Sequence, residues 1–166
     1  MKIMASACLV GEDVKYNGGN NRHQKVLDYI KENTEWEPDK DADLAQNIET
    51  AREAGVYLVC PELMGGLTVP RFPGEIVHGE GMAPEGEVQN ANGNSVDYEY
   101  RIGAQLAYQI AAHEKIDVAI LQSRSPSCGV NQIYDGTFTG TLIEGSGVFA
   151  QLLKEGGFKV IDAEDL

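Results

Sequence analysis

Four short apolar runs, separated by segments with helical periodicity, limit the folds open to this 166-residue chain more than any other feature. The runs lie at residues 2–10, 56–59, 117–121 and 158–161. Nearly continuous apolar runs of this length are typical of strands that are covered on both faces of a parallel sheet. Alternation of such strands with helices predicts a three-layer α/β/α domain with a mainly parallel, Rossmann-like sheet of about four strands.

Helical spacing of apolar residues or capping signals predict four helices between these strands, at residues 23–32, 43–54, 97–114 and 148–155. Asp43 is the predicted N-cap of the second helix, and Gly55 ends it. Residues 65–94 are the least regular part of the chain, with Asn92-Gly93 as a predicted hairpin turn. An irregular stretch of this length usually serves function. No linker or repeat divides the chain, so we expect one domain over residues 1–166.

The charge balance restricts the partners that the chain can bind. Lys and Arg number 13 against 26 Asp and Glu, which gives a net charge of -13. Long-range repulsion therefore opposes binding to nucleic acid or to an anionic membrane. No window has the apolar length of a membrane span, and the stretch before Cys8 is too short for a signal peptide. We expect a cytoplasmic protein whose substrate is a small molecule.

The chain has three cysteines: Cys8 lies near the end of the first apolar run, and Cys60 and Cys128 follow the second and third runs. The carboxyl ends of parallel strands share one edge of a sheet, where open α/β folds bind their ligands. An odd number of thiols cannot pair off internally, and in a reducing compartment free thiols are usually ligands or nucleophiles. We therefore expect three thiolates at one site, able to hold a metal centre with one coordination position open.

Several kinds of site remain compatible with three thiols. Each cysteine taken alone is more often a small buried hydrophobe. Zinc commonly takes histidine as a further ligand, but none of the three histidines is spaced so as to join a cysteine. Three thiolates without histidine fit a four-iron cluster. A sensor or storage module that binds iron-sulfur or zinc without catalysis is an alternative. Another is a Cys128 nucleophile whose pKa is lowered by Arg124 or a helix N-terminus.

Polar residues close to the cysteines supply candidates for proton transfer. Glu62 lies two residues after Cys60, where a carboxylate can act as general acid or base. Ser123, Ser125 and Ser127 are turn formers, or one hydroxyl orients a substrate, in which case we choose Ser125. Residues 145–150 imitate a dinucleotide fingerprint, but too little chain follows for that fold. The helix N-terminus there could still hold a phosphate.

Four ordered motifs connect the chain to a known family. They are Ser6-Ala7-Cys8-Leu9-Val10-Gly11 with Lys15-Tyr16-Asn17-Gly18, Cys60-Pro61-Glu62-Leu63-Met64-Gly65-Gly66-Leu67 with Pro70-Arg71, Ser123-Arg124-Ser125-Pro126-Ser127-Cys128-Gly129, and Ile133-Tyr134-Asp135-Gly136-Thr137-Phe138. Over essentially its whole length the chain resembles a bacterial family, long known only as a domain of unknown function, that includes the thiouracil desulfidases.

The resemblance implies a specific cofactor and reaction. It implies a [4Fe-4S] cluster bound by Cys8, Cys60 and Cys128, and non-redox removal of sulfur from a thiolated pyrimidine such as thiouracil or thio-UMP. The products would be the oxo-pyrimidine and hydrogen sulfide. By the motif match, Glu62 and Ser125 are the residues that carry the chemistry.

The chain departs from the family pattern at two places. Residues 74–98 are longer and more acidic than expected, and Asn17 stands where an aspartate is common. The first segment is expected to wall the pocket, so it bears on which thio-substrate is accepted. A tRNA substrate would need a basic face that this chain lacks, which favours a free base or a mononucleotide.

Overall fold

A four-stranded parallel sheet organises the molecule, which we describe over residues 1–166 from a computed structural model. The strands are β1 Ile3–Ser6, β2 Val56–Val59, β3 Gly74–Val77, β4 Glu87–Asn90, β5 Val118–Leu121, β6 Gln132–Tyr134, β7 Leu142–Glu144 and β8 Val160–Asp162. The helices are α1 Gln24–Asn33, α2 Leu44–Glu53, α3 Pro61–Met64, α4 Asp97–Glu114 and α5 Val148–Glu155. The main sheet has the order β2-β1-β5-β8, and all its pairs are parallel.

Helices cover both faces of this sheet. On β1, Ile3 and Ala5 face a core that includes apolar residues of α1 and α2, whereas Met4 faces a core that includes residues of α4 and α5. This alternation follows from the two-residue period of a strand. The predicted three-layer α/β/α architecture and the parallel four-stranded sheet are confirmed. No helix combines the length and the apolar character that crossing a membrane requires.

The second helix begins as its capping signal predicts. The Asp43 carboxylate accepts a hydrogen bond from the Gln46 backbone N–H at 2.8 Å, and the Gln46 side chain accepts one from the Asp43 N–H at 2.9 Å. This reciprocal pair satisfies two N–H groups that a helix start otherwise leaves without partners. Gly55 follows the helix with φ +83°, as a C-terminal stop requires.

Two strands have a boundary that differs from the prediction by more than one residue. The first strand ends at Ser6 rather than at residue 10, because residues 7–10 form a 3₁₀ turn that closes at Gly11 with φ +102°. Within that turn the Cys8 carbonyl accepts from the Gly11 and Asn21 N–H groups instead of from a neighbouring strand. The last strand lies at 160–162 rather than 158–161, since the Phe158 N–H donates to the Leu153 carbonyl of α5 at 3.0 Å instead of to a neighbouring strand.

Two antiparallel hairpins, β3–β4 and β6–β7, lie in stretches that carry no strand signal in the sequence. Their strands are three or four residues long and of mixed polarity, so periodicity does not reveal them. The predicted Asn92-Gly93 turn follows β4, where Gly93 has φ +80° and its N–H donates to the Asn90 carbonyl at 2.9 Å.

Two glycines allow the backbones of α3 and α4 to touch. A Cβ atom on Gly103 would lie 1.8 Å from the Pro61 carbonyl oxygen, and one on Gly65 would lie 1.8 Å from that of Glu99. No side chain fits at either position. The contact therefore brings the turn that follows β2 against the first half of α4.

We expect Gly103→Ala to lower the free energy of unfolding by about 2 kcal/mol or more, because overpacking outweighs the gain in helix propensity. Urea denaturation measures the change. Gln105→Ala, at an exposed position of the same helix, is the control and should change stability by less than about 0.5 kcal/mol. Equal stability of the two variants would contradict the close helix contact.

Candidate functional site

The three cysteines follow three neighbouring strands at the carboxyl edge of the sheet. Cys8 lies in the 3₁₀ turn after β1, Cys60 directly precedes α3, and Cys128 lies in the loop after β5. All three are free thiols. Burial raises the pKa of each thiol, that of Cys8 to about 11. Electrostatic repulsion from Cys60 also raises the pKa of Cys8, and repulsion from Cys8 and Cys60 raises that of Cys128. Without a bound cation the thiols therefore stay protonated at neutral pH.

Hydrogen-bond donors point at the sulfur atoms. The Asn21 amide donates to Cys8 Sγ at 3.6 Å. The backbone N–H groups of Leu63 and Glu62 donate to the Cys60 sulfur, and the Ser6 hydroxyl donates to the Cys128 sulfur. Each of these hydrogen bonds favours the thiolate and lowers the pKa of its thiol, which opposes the effect of burial. No group of three His, Cys, Asp or Glu side chains is arranged to hold a single metal ion.

Glu62 is held by three side chains from three different parts of the chain. Its Oε1 accepts from Arg71 Nε at 3.0 Å and from Tyr100 Oη at 2.9 Å. Its Oε2 accepts from Ser127 Oγ at 2.8 Å. The Glu62 and Arg71 side chains are only 13% and 8% exposed, so this ion pair is largely withdrawn from water. The carboxylate therefore has a fixed orientation beside the cysteines.

Arg71 links the loops that follow β1 and β2. Besides its bond to Glu62, its guanidinium donates to the Thr68 carbonyl at 3.1 Å and to the Val14 carbonyl at 2.9 Å. Its backbone N–H donates to the Tyr16 carbonyl at 2.8 Å. Arg71 therefore holds the Cys8 loop against the Cys60 loop through both its side chain and its backbone.

The serines form a hydrogen-bonded chain whose direction can be assigned. Ser125 Oγ accepts from the N–H groups of Ser127 and Cys128, at 3.2 and 3.1 Å. Both of its lone pairs are then used, so its proton points to Ser127 Oγ, 2.9 Å away. Ser127 in turn donates to Glu62. The hydroxyl in direct contact with the carboxylate is thus Ser127, while Ser125, chosen from the sequence, lies one step behind it.

The remaining serine of this loop has a structural role. The buried Ser123 hydroxyl donates to the Asp162 carboxylate at the end of β8. This bond joins the start of the Cys128 loop to the last strand of the sheet.

The loop that carries Cys128 caps α5. Its carbonyls at Pro126, Ser127 and Gly129 accept from the N–H groups of Val148, Phe149 and Gly147, at 2.8 to 2.9 Å. A Cβ atom on Gly147 would lie 2.5 Å from the Ser127 carbonyl, so only glycine allows this approach. The suggestion that this helix N-terminus holds a phosphate is therefore wrong, because its amides are already bound.

The nucleophile alternative for Cys128 finds no support in these surroundings. The thiol is 4% exposed, and burial raises its pKa. Arg124 pairs instead with Glu164 at 2.9 Å on the surface. Neither the arginine nor the helix N-terminus activates the sulfur.

Sequence reasoning does not identify Arg71 or Tyr100 as members of the site, and among the three serines it prefers Ser125 to Ser127. Arg71 stands in one of the family motifs, directly after Pro70. Ser127 immediately precedes a cysteine, a position that offers its hydroxyl to the same pocket. Tyr100 has a weaker signal: it lies one turn before Gly103 on α4, and that glycine marks a close helix contact.

Comparisons with known proteins identify the family to which the chain belongs. The model of the 2-thiouracil desulfurase family matches residues 3–165. An uncharacterized protein of Bacillus subtilis (strain 168), YbbK, is 35% identical over 167 residues, covering 99% of this chain and 97% of YbbK. The solved structure of the [4Fe-4S]-dependent thiouracil desulfidase TudS superposes with a TM-score of 0.74 at 31% identity, covering 99% of this chain and 92% of TudS. The chain belongs to the 2-thiouracil desulfurase family.

Proposed function

We propose that this protein hydrolyses the carbon–sulfur bond of thiolated pyrimidines, thiouracil or thio-UMP, and yields the oxo-pyrimidine and hydrogen sulfide. One observation carries the proposal: three free thiols and a largely buried carboxylate meet at one sheet edge, and Ser127 joins the carboxylate to the loop of Cys128. Membership of the desulfurase family and the likeness to TudS support it.

Cys8, Cys60 and Cys128 are the residues that would hold a [4Fe-4S] cluster, and their surroundings fit this group. Soft thiolates are the usual ligands of such clusters, and donors to the sulfurs help to stabilise them. Because burial raises the pKa of these thiols, coordination is what makes three thiolates stable in this pocket. When bound through three cysteines, a four-iron cluster supplies a Lewis acid with one open site for the thione sulfur.

The side chains of this chain supply the proton transfers. Glu62 takes a proton from the attacking water through Oε2, while Oε1 stays bound to Arg71 and Tyr100. The water oxygen bonds to the ring carbon while the C=S double bond opens to a single bond. The remaining carbon–sulfur bond then breaks as the new hydroxyl group loses its proton and becomes the carbonyl. Glu62 passes the two protons of the water, one after the other, to the departing sulfur. Ser125 acts through Ser127 by orienting its hydroxyl toward Glu62.

The reaction as written needs no oxidant or reductant. Carbon exchanges its double bond to sulfur for a double bond to oxygen, and sulfur leaves as hydrogen sulfide at its original oxidation level. The net charge of -13 favours a small-molecule substrate over a nucleic acid. Free thiols of this kind suit a reducing compartment such as the cytoplasm.

Cys60→Ala in anaerobically reconstituted protein should lose bound iron, the brown colour and sulfide release together, because one of three ligands is removed. Iron and acid-labile sulfide per chain are measured beside thiouracil turnover. Turnover by protein without iron would refute the proposal, and iron binding by the unmodified protein without any turnover would indicate a binding module instead.

Glu62→Gln should keep the visible spectrum of the cluster and lower kcat by about 10²- to 10⁴-fold, the usual contribution of a general acid or base. The matched control is Glu75→Gln. Glu75 is also a buried carboxylate, but it accepts from the N–H groups of Gly136 and Phe138 instead of the site residues. A rate unchanged by the Glu62 substitution would remove this residue from the mechanism.

Ser127→Ala and Ser125→Ala should have different effects on kcat and on iron retention. Loss of the Ser127 hydroxyl removes a hydrogen bond to a carboxylate and a longer contact, 3.8 Å, to Cys128 Sγ. It should lower kcat by about 10- to 100-fold with most of the iron retained. Loss of the Ser125 hydroxyl also leaves two backbone amides of the Cys128 loop without their acceptor, so iron retention should fall as well. Identical iron content and rate in both variants would contradict the assigned direction of the chain.

A further inference from the structure

We propose that Tyr100 and Arg71 are positioning residues that occupy Oε1 of Glu62, so that Oε2 is the oxygen through which this carboxylate exchanges protons. The inference rests on the proposed function and goes further by giving the two oxygens of one residue separate roles. It also assigns a role in the reaction to a tyrosine of α4, a helix that carries none of the cysteines.

Tyr100 is fixed as a donor to Oε1. Its side chain is 1% exposed, and its hydroxyl lies 2.9 Å from Oε1. Gly74 lies close beside the Tyr100 hydroxyl, since a Cβ atom on that glycine would be 2.7 Å from the hydroxyl oxygen. Burial, and next the negative charge of Glu62, raise the pKa of Tyr100, so the phenol keeps its proton.

Arg71 supplies the second bond to the same oxygen. Each of its three guanidinium nitrogens donates to a protein acceptor, and two of these acceptors are backbone carbonyls of separate loops. A guanidinium held at three points cannot turn toward Oε2 without breaking those bonds. Arg71 therefore gives Oε1 one donor in a fixed place, and the Tyr100 hydroxyl is the second donor that completes the orientation of the carboxylate.

The number of free acceptor positions differs between Oε1 and Oε2 of Glu62. A carboxylate oxygen has about two acceptor positions, and Arg71 and Tyr100 fill both positions on Oε1. Oε2 has one partner, the Ser127 hydroxyl, and one position left. A proton that moves to or from Glu62 thus meets Oε2, whose direction is set before substrate binds. Fixed alignment of this kind lowers the barrier to reaction.

Tyr100→Phe tests the role with minimal change in volume. We expect kcat to fall about 10- to 100-fold, the effect of one hydrogen bond to a charged group, with KM changed less than about threefold and iron content unchanged. Tyr57→Phe is the matched control, because the Tyr57 hydroxyl also donates to a glutamate, Glu114, at 3.0 Å outside the site. That variant should keep the full kcat.

A double-mutant cycle separates positioning from a general loss of packing. In Glu62→Asp the shorter side chain no longer reaches the Tyr100 hydroxyl, so adding Tyr100→Phe should lower kcat by less than about twofold more. Losses that multiply fully in the double variant would overturn the inference, as would a normal kcat in Tyr100→Phe.

A structural measurement makes the outcome independent of turnover. In a crystal structure of Tyr100→Phe the Glu62 carboxylate should rotate away from its orientation in the unmodified protein, or occupy more than one orientation. A carboxylate that keeps its place overturns the positioning role even if the protein has no activity on thiouracil. Absence of turnover in the unmodified protein, with Glu62 displaced in the variant, refutes only the proposed reaction.

Discussion

The parallel pairing of β1 with both β2 and β5 is the constraint on which the whole site depends. In this register Ser6 lies opposite Val59, and Ala5 lies opposite Ile120. Each strand therefore ends at nearly the same height, and the loops that carry the three cysteines leave the sheet side by side. No cysteine has to reach across the molecule. The backbone hydrogen bonds of the sheet, and not the thiols, bring these loops together.

The Arg71–Glu62 pair is the second level of organisation. Withdrawing two charges from water has a high cost, and such a pair is maintained only where further hydrogen bonds satisfy both partners. Here backbone carbonyls satisfy the guanidinium, and Tyr100 and Ser127 satisfy the carboxylate. Breaking the pair from one side would leave a buried charge without compensation. The same pair therefore stabilises the loops and orients the acid–base group.

The sequence was sufficient for features that arise locally. The parallel sheet, the Asp43 cap and the bounds of α4 follow from apolar spacing and from capping chemistry. Partners distant along the chain could not be predicted, because Tyr100 reaches Glu62 only through the contact of α3 with α4. The role of Ser125 stays a prediction, and the contact of Ser127 with Glu62 is not evident from the sequence for a related reason. In a turn the backbone path decides which hydroxyl faces inward, and that path depends on α5 and its cap.

The cap that the Cys128 loop provides to α5 also affects how the cysteines become exposed. Its carbonyls replace the polar side chain that usually begins a helix, so this loop cannot swing open unless the first turn of α5 unwinds. That turn contains the buried Phe149 and Ala150, which tie it to the core. Opening of the Cys128 loop therefore has a high free-energy cost, because it requires cooperative unfolding of part of the domain. Solvent, oxidants and chelators should therefore reach Cys128 last, after the less buried Cys8 and Cys60.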